Sequence, residues 1–370
     1  MEHYLDNAAT TKTCKEAVDS ALFVMENLYG NPSSTHTKGR EAKKHLESCR
    51  KIISDALGSK SNELYFTSCG TESDNWAIVN GAEAMRRYGN HIISSTVEHD
   101  AVRKSLDLLE SRGYKVTRLK PDEKGEVSPE KVIDCLTDDT IMVSLMMVNN
   151  ETGAINDIKT ISQLVKNVNH RCLFHTDAVQ GFLKVNFKAC DIGADLISIS
   201  GHKIHAVKGI GALYIKNGLN IKPFICGGSQ EKGLRAGTEA LPQIAAFSAA
   251  CSLNPEIEKI YSLKKYAISE LTSNIPELKY LDTPAPHILS ISMPGWKSEV
   301  LMNLLESREI YVSKSSACKQ GRRSHVLEEI GLPTNVIDGA LRIGFSRYNS
   351  KEDIDSLVRA LIEAKKLRHN

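Results

Sequence analysis

Three short segments of the chain carry residue types that catalysis uses, and each follows a stretch of sequence that predicts a β-strand. Segment 68–72 reads Ser-Cys-Gly-Thr-Glu, segment 175–180 reads His-Thr-Asp-Ala-Val-Gln, and segment 198–203 reads Ser-Ile-Ser-Gly-His-Lys. In α/β proteins, the loops beyond the carboxyl ends of the strands form the ligand site. We therefore expect these three segments to lie close together.

The first segment has the composition of a phosphate-binding loop. Gly70 and Thr71 precede a predicted helix. A glycine lets a ligand approach the backbone closely, a threonine offers a hydroxyl, and a helix start offers free N–H groups and a positive dipole. An ordinary helix cap has the same composition, so this segment alone does not distinguish a phosphate site from a cap.

Asp177 and Lys203 are charged residues at the ends of apolar strand patterns. A buried carboxylate needs a partner such as a protonated ring nitrogen, and a partly desolvated lysine becomes nucleophilic. Alone, each residue is more simply interpreted as a solvent-exposed charge. A phosphate loop, an aspartate and a lysine in this order are nevertheless the parts that a pyridoxal 5′-phosphate (PLP) site requires.

Other ligand classes have weaker support. The chain contains neither G-x-x-x-x-G-K-[ST] nor G-x-G-x-x-G, the phosphate-binding motifs of common ATP and NAD sites. His202 and His205 could form a metal pair, but no third ligand is evident, so we expect no metal site. With 47 basic and 45 acidic residues the net charge is +2, which argues against direct nucleic-acid binding.

The nine cysteines are scattered over 370 residues, and no two have the C-x₂₋₄-C spacing of a zinc site. An odd, dispersed set of thiols fits a reducing cytosol better than a disulfide framework. The first residues do not resemble a secretory signal, and the longest apolar run, 141–148, is far shorter than the roughly 20 residues of a membrane span. We expect a cytoplasmic protein without a membrane partner.

Strand and helix patterns alternate through the first part of the chain. We predict strands at 63–67, 91–95, 114–119, 141–148, 172–176, 196–200 and 211–215, and helices at 70–88, 100–111 and 158–168. This alternation predicts βαβ units and a mostly parallel sheet between helices.

The pattern changes after residue 241. We predict a long helical region to residue 278, then strands at 287–292, 310–313 and 341–345 and helices at 298–306 and 350–367. The mixture is typical of a smaller α+β domain. We assign 12–250 to a large cofactor-binding domain, and 1–11 with 251–370 to the small domain.

Ten segments resemble the cysteine desulfurases of the NifS/IscS type, which are fold-type I PLP enzymes of the class V aminotransferase superfamily. They occur in family order and span nearly the whole chain: YLDNAATT (4–11), YGNPSSTH (29–36), TSCGTESDN (67–75), VEHDAV (97–102), VNNETGAI (148–155), FHTDAVQ (174–180), SGHKIHAVKGIGALY (200–214), GSQEKGLRAGTE (228–239), SSAC (315–318) and LRIGFSRYN (341–349). The resemblance implies an α/β, fold-type I PLP-dependent transferase with a mostly parallel seven-stranded sheet between helices.

The resemblance also assigns cofactor roles to matched positions. Lys203 would bind PLP covalently, Asp177 would pair with the pyridinium nitrogen, and Gln180 would contact the ring O3′. His99 would stack on the ring and take part in proton transfer, with Asn150 close to it. The phosphate would be held by Gly70, Thr71, Ser200, His202 and, from the neighbouring subunit, Thr238. A homodimer with shared active sites is thus implied.

The substrate implied by the resemblance is L-cysteine, which would leave as L-alanine. Arg342 would bind its carboxylate, and Asn31 would lie near it. Cys318 would be the nucleophile, and the neighbouring Lys314 and Lys319 would favour its thiolate. The resulting persulfide would pass sulfur to an acceptor protein, a scaffold for iron–sulfur cluster assembly or a tRNA-thiolation enzyme.

Two related activities are alternatives to a cysteine desulfurase. A selenocysteine lyase shares the cofactor and fold but does not need the cysteine nucleophile, and an aminotransferase or β-lyase would release a keto acid. The chain also departs from the family pattern: the segment between Cys318 and Ser324 is a few residues shorter than in many relatives, and residue types differ at two other places. His205-Ala206-Val207 stands where relatives usually have Tyr-Gly-Pro, and Cys69 stands where a second glycine is common. We interpret Cys69 as a tolerated small residue.

Overall fold

The strands and helices below come from a computed structural model that describes residues 2–314 and 323–368. The strands are β1 (His3–Tyr4), β2 (Leu64–Thr67), β3 (His91–Ser95), β4 (Lys115–Leu119), β5 (Thr140–Ser144), β6 (Leu173–Asp177), β7 (Leu196–Ser200), β8 (Gly211–Ile215), β9 (Lys279–Tyr280), β10 (Ile288–Ser292), β11 (Ile310–Tyr311), β12 (Ser313–Lys314) and β13 (Ala340–Gly344). The helices are α1 (Lys15–Asn27), α2 (Thr37–Leu57), α3 (Gly70–Asn75), α4 (Gly81–Met85), α5 (Asp100–Ser111), α6 (Pro129–Asp134), α7 (Ile158–Val168), α8 (Leu241–Cys251), α9 (Ile257–Asn274), α10 (Ser298–Glu306), α11 (His325–Glu329), α12 (Thr334–Asp338) and α13 (Lys351–Arg368).

Seven strands form the large sheet in the order β2-β8-β7-β6-β5-β3-β4. The strands from β7 to β4 run parallel, whereas β8 is antiparallel to both of its neighbours, β7 and β2. The central strands β5, β6 and β7 are buried along their whole length, as expected for a sheet with helices on both faces. The predicted mostly parallel, seven-stranded sheet is confirmed.

Alternate residues of the central strands enter two separate hydrophobic cores, because successive side chains of a strand point to opposite faces. The neighbours that divide between the cores are Ile92/Ile93, Met142/Val143, Leu173/Phe174 and Leu196/Ile197. Helices α1, α2, α7 and α8 contribute to one core, and α4 and α5 contribute to the other. The carboxyl edge of the parallel strands therefore lies between two fixed helical layers.

A four-stranded antiparallel sheet, β12-β13-β10-β9, lies in the C-terminal part of the chain. It shares a third core with α9, α10 and α13, and Leu5 from the N-terminal segment enters this core as well. Strand β1 pairs in parallel with β11. The predicted smaller α+β domain is confirmed, while its boundaries at residues 11 and 250 stay a prediction.

The strand predicted at 141–148 is too long, since the regular strand ends at Ser144. The reason is that the Glu98 side chain, and not strand β3, bonds to the backbone beyond Ser144. The backbone N–H of Met146 donates to the two carboxyl oxygens of Glu98, at 3.1 and 3.0 Å. Glu98 thus takes the place of β3 on this side, whereas Leu145 and Met147 still donate to the His175 and Asp177 oxygens of β6, at 3.1 and 2.9 Å.

The single helical region predicted at 241–278 is also wrong, because α8 and α9 are separate helices. Pro255 lacks a backbone N–H, and Glu256 has a φ of +54°, so the chain cannot continue as one helix there. Helices α1 and α2 were not predicted. Within the described ranges, we find no helix that combines the length and the apolar character needed to cross a membrane.

Candidate active site

Lys203 lies in a single helical turn directly after β7, at the carboxyl edge of the parallel strands. Its Nζ donates hydrogen bonds to the backbone oxygens of Ala8, at 2.9 Å, and Ala9, at 2.6 Å. Burial and the nearby Arg342 guanidinium lower the pKa of the amine to about 8. A lysine in this state is partly neutral near neutral pH and can act as a nucleophile or a base.

Two buried carboxyl groups lie beside the exposed His99 side chain. Asp177 ends β6, Asp74 belongs to α3, and one donor atom from each of the three residues lies within 4.8 Å of the other two. Burial raises the pKa of both carboxyls, and repulsion from Asp177 raises that of Asp74 further. Two such carboxylates do not both ionise without a cationic partner, so this position suits a positively charged group.

Ser200 is the last residue of β7, and its side chain fits an absent anionic ligand. The Ser200 hydroxyl is buried and has no hydrogen-bond partner in the described part of the chain. Gly70 faces it: a Cβ built on Gly70 would lie 3.5 Å from the Ser200 Cβ and 2.7 Å from Val179 Cγ2. An unpaired buried hydroxyl beside such a small residue is the arrangement that a PLP phosphate would need.

The remaining predicted phosphate ligands differ in their surroundings. The Nδ1 of His202 lies 3.2 Å from the hydroxyl of Thr10. Burial, and then the charge of Lys203, lower the pKa of His202 to about 4, so its ring is neutral at pH 7. Thr71 and Thr238 are exposed. Lys203, Asp177, Ser200 and His202 are thus brought together, whereas Thr238 lies on the surface of this chain.

Gln180 is buried in the loop that follows β6. Its Nε2 donates to the Ala8 oxygen at 2.8 Å, so Gln180 and Lys203 share one backbone acceptor. Its Oε1 faces the Nε2 of His287 at 3.2 Å and the Nζ of Lys184 at 3.4 Å. The Gln180 amide is therefore held on both sides.

Arg342 lies on β13 and is buried, with its guanidinium fixed by three hydrogen bonds. It donates to the backbone oxygen of Asn150 at 2.9 Å, to Ser313 Oγ at 2.8 Å and to Asp6 Oδ1 at 3.1 Å. The Arg342 Nε has no partner among the described residues. An oriented guanidinium with spare donor capacity can bind a carboxylate. Asn150 takes part through its backbone.

His99 and Asn31, the other two predicted site residues, lie in caps and turns. The Nδ1 of His99 accepts a hydrogen bond from the Ala101 N–H at 3.2 Å and so caps α5. Asn31 is exposed, and its Oδ1 accepts from the Ser33 N–H at 2.9 Å. Within residues 2–314 and 323–368, Asn31 makes no hydrogen bond to the other predicted site residues.

Cys318 lies outside the described residues, but the two ends of segment 315–322 border the site. On one side, Ser313 accepts from Arg342 and donates to Asp6 at 2.7 Å. On the other side, Ser324 donates to Glu151 Oε2 at 2.5 Å, and burial raises the pKa of Glu151 to about 7. Ser313 and Ser324, which lie on the two sides of this segment, therefore contact Arg342 and Glu151.

The two described cations that flank this segment are paired with carboxylates. Lys314 lies 3.1 Å from Glu299, and Arg323 lies 2.5 Å from Asp338. Their positive charge is therefore partly neutralised. That the lysines beside Cys318 favour its thiolate stays a prediction.

The eight described cysteines are free thiols with different environments. Four of them are buried, and burial raises the thiol pKa in each, to about 12 in Cys172; the four are Cys14, Cys49, Cys172 and Cys251. Cys69 and Cys135 are half-buried, and Cys190 and Cys226 are exposed. Buried protonated thiols are poor nucleophiles. Of the four other thiols, Cys69 adjoins Gly70 of the predicted phosphate loop, so it is the described cysteine to test beside Cys318.

Several residues that shape the site were not identified from the sequence: Asp6, Ala8, Ala9, Asp74, Glu151, Lys184 and His287. Ala8 and Ala9 act through backbone oxygens, which leave no side-chain signal. Asp74 sits in a polar stretch that reads as an exposed turn of helix. Its placement close to His99 and Asp177, at a spacing that could also suit a metal ion, comes from the fold alone.

Comparisons with known proteins agree with this geometry. The family model for aminotransferase class-V matches residues 3–357. The chain is 40% identical over 377 residues to "Cysteine desulfurase IscS" of Methanosarcina thermophila, covering 99% of this chain and 93% of that protein. A solved structure titled "NIFS-LIKE PROTEIN" has a TM-score of 0.93 and 34% identity, covering 99% of this chain and 100% of that chain. Another, titled "SspA in complex with cysteine", has a TM-score of 0.84 and 30% identity, covering 95% and 100%.

These matches extend over nearly the whole chain and include proteins named for one reaction. The class V aminotransferases are PLP-dependent enzymes, and the arrangement of Lys203, Asp177 and Ser200 fits that cofactor. The chain therefore belongs to the NifS/IscS-type cysteine desulfurases of the class V aminotransferase superfamily.

Proposed function

We propose that this site binds PLP and L-cysteine, and that Cys318 takes up the sulfur as a persulfide. The observation that supports the proposal most strongly is the convergence of three unusual groups. A lysine amine with a lowered pKa, a buried carboxyl pair and an unpaired buried hydroxyl meet at one edge of the large sheet. The relatives named above add the identity of the reaction.

The proposed cofactor contacts follow from the polar groups that meet at this edge of the large sheet. Asp177 supplies a carboxylate for the pyridinium nitrogen, and Ser200 and His202 supply polar groups for the phosphate. A bound phosphate would raise the pKa of His202 again, because an anion favours the protonated imidazole. When bound, PLP supplies an electron sink that stabilises negative charge at the substrate's α-carbon.

The chain's own residues orient the substrate and move its protons. Arg342 binds the carboxylate of L-cysteine with the donor capacity that its contacts to Asn150, Ser313 and Asp6 leave over. Lys203 removes the α-proton of the substrate, for which its lowered pKa is suitable. His99, at the start of α5, takes part in the remaining proton transfers.

The sulfur transfer itself is assigned to Cys318. Its thiolate attacks the Sγ of L-cysteine, a new S–S bond forms, and the substrate's Cβ–Sγ bond breaks. The electron pair of the broken bond stays with the carbon, which is then protonated, so that L-alanine leaves and Cys318 carries the persulfide. Cys318 is four residues from Lys314, and an extended chain of that length spans about 13 Å.

The persulfide is proposed to pass to a sulfur-acceptor protein in the cytoplasm, a scaffold or a thiolation enzyme. We also propose a homodimer with shared sites. Helix α1 has an exposed apolar stripe formed by Val18, Leu22 and Met25, which are 48%, 50% and 57% exposed. These positions lie on one face of the helix, and the adjacent face, formed by Ala17, Ala21 and Val24, is buried where α1 packs on α8. Thr238, exposed on its own chain, would complete the partner's phosphate site.

The test is mass spectrometry of the holoenzyme after incubation with L-cysteine, with released alanine measured alongside. We expect the wild type to gain one sulfur atom on Cys318, and Cys318→Ser to lose both the added sulfur and turnover. Cys69→Ser is the matched control and should keep both. A persulfide on the Cys318→Ser protein would contradict the assignment, and full selenocysteine turnover by that variant would favour the lyase.

A further inference from the structure

A second buried lysine lies behind the site and has no part in the steps above. Lys184 follows β6 by seven residues, and its Nζ lies 3.4 Å from Gln180 Oε1. Burial lowers the pKa of Lys184 well below its usual value, and the charges of Lys203 and Arg342 lower it further. A buried amine under such repulsion is costly, so its position calls for an explanation.

The backbone next to Lys184 is strained. Leu183, the residue before Lys184, has a φ of +56°, a left-handed conformation that a branched side chain rarely adopts. Backbone strain of this kind persists only where the surrounding structure enforces it, and it is concentrated at functional sites. The strained residue and the buried amine are adjacent.

The contacts of Gln180 fix the direction of its amide group. The Ala8 backbone oxygen can only accept, so the amide nitrogen of Gln180 must face it, at 2.8 Å. The amide oxygen then faces Lys184 and His287. Burial lowers the pKa of His287 well below its usual value, so its ring is neutral, and its Nδ1 has no partner in the described ranges. The Nε2 of His287 therefore carries the proton and donates.

These donors form a connected path to the reactive amine. Lys184 and His287 hold the oxygen of Gln180, Gln180 donates to Ala8, and the same Ala8 oxygen accepts from Lys203. Without the two donors, the Gln180 amide could turn over and present its oxygen where a donor is needed. Besides the two donors themselves, the charged groups that act on this path are Lys203, Arg342 and Lys264. Lys184 in turn acts on the titratable rings of His202 and His205.

We propose that Lys184 and His287 are positioning residues, which hold the amide of Gln180 with its N–H group directed toward the bound cofactor and Lys203. The inference rests on the proposed function, in which Gln180 donates to the ring oxygen of PLP. Without the Gln180 N–H donor, the deprotonated ring oxygen of PLP is less stable. The pH midpoint at which the bound cofactor titrates should therefore rise.

The test compares Lys184→Met with Gln180→Ala in the holoenzyme. We expect Lys184→Met to raise the pH midpoint of the PLP visible absorbance by about one unit and to lower kcat/KM about tenfold. PLP affinity, measured by equilibrium dialysis, should fall as well. The variant that combines Lys184→Met with Gln180→Ala should shift the absorbance midpoint little more than Gln180→Ala alone, because both changes act through the Gln180 amide.

The matched control is Lys264→Met. Lys264 is also a buried lysine, its pKa is also lowered by burial to about 8, and its Nζ donates to Thr283 and Ala285 oxygens in the small domain. The charge of Lys264 also lowers the pKa of His287, but its hydrogen bonds go to Thr283 and Ala285 and not to Gln180. This variant therefore removes a nearby charge without removing a donor to Gln180, and it should lose thermal stability but keep the absorbance midpoint. Such a result separates a local effect on Gln180 from general destabilisation.

A second variant keeps the test decisive if Lys184→Met does not fold. His287→Phe removes the other donor at similar volume and should shift the midpoint in the same direction. An unchanged midpoint in either variant, with a shifted midpoint in Gln180→Ala, would overturn the inference. A wild type that acquires no Lys203-dependent visible absorbance with PLP would instead refute the proposed function, so the two failures are distinguishable.

Discussion

Lys203 owes its reactivity to groups that are remote in sequence. Two backbone oxygens from Ala8 and Ala9 hold its amine, and Arg342, more than a hundred residues further on, repels its charge. Burial is the larger cause of the lowered pKa, and the Arg342 charge adds to it. The chemistry of the lysine is therefore a property of the assembled site rather than of the Ser-Gly-His-Lys segment that carries it.

The pH dependence of cofactor uptake follows from this environment. A lysine amine reacts in its neutral form, and the lowered pKa moves the neutral form into the accessible range. We expect the rate of covalent PLP uptake by the apoprotein to rise with pH and to level off above about 8. Stopped-flow absorbance between acidic and alkaline pH measures it.

Arg342→Ala provides the control for that profile. Removing the guanidinium removes the repulsion, so the pKa of Lys203 should rise and the uptake curve should move to higher pH. A wild-type midpoint near 10.5, the value of an unperturbed lysine, would contradict the environment described for Lys203.

The residues that could be predicted share one property: they are charged or polar side chains directly after apolar strands. Lys203 and Asp177 were found in this way, and the family resemblance added Ser200 and the roles of all three. Asp74 and Lys184 could not be found, because a polar stretch and a lone lysine are ordinary surface patterns. Only the fold shows that both are buried.

At the scale of secondary-structure elements, a buried ion pair connects α2 to the loop that precedes Thr238. The Glu231 carboxylate accepts from Arg50 at 2.8 and 2.7 Å and from the Phe66 N–H of β2 at 2.8 Å. Glu231 has a φ of +43°, so a strained backbone is held by this cluster. The position of the Thr238 segment therefore depends on α2.

Removing this carboxylate should be strongly destabilising. Glu231→Ala leaves the Arg50 guanidinium buried without its main partner, and we expect a loss of about 3–5 kcal/mol in the free energy of unfolding. Urea denaturation followed by circular dichroism measures it. Glu47→Ala removes the exposed second partner of Arg50, 3.3 Å away, and should cost less than about 1 kcal/mol. Equal losses in the two variants would argue against this account.

The elements themselves were predicted unevenly. The patterns at 91–95, 196–200 and 211–215 coincide with β3, β7 and β8, because buried strands have strong, bounded apolar runs. The run at 141–148 extends beyond the regular strand, since nothing in the run shows that the Glu98 side chain replaces β3 as the partner of Met146. Tertiary contacts of this kind leave no local signal.

At the scale of the whole molecule, the apolar stripe of α1 predicts how two copies meet. Leu22→Glu with Met25→Glu would place two charges in the proposed interface, and we expect a monomer by analytical ultracentrifugation. PLP affinity should fall in parallel, because the partner's Thr238 would no longer reach the phosphate.

Val168→Glu is the matched control for the dimer prediction. Val168 is 63% exposed at the end of α7, away from the stripe, so the variant should remain dimeric with unchanged PLP affinity. A wild type that is monomeric, or a double variant that stays dimeric, would refute the assignment of α1 to the interface.

The N-terminal segment has a consequence for the order of events during synthesis. Leu5 makes backbone hydrogen bonds to Tyr311 and Gly344, and Thr11 makes one to His202. The first residues to be synthesised therefore depend for their position on residues that are synthesised much later. Contacts over such sequence separations form late in folding. We therefore expect the Ala8 and Ala9 oxygens to hold the Lys203 amine only after β13 has left the ribosome. Chains truncated before β13 should then fail to take up PLP.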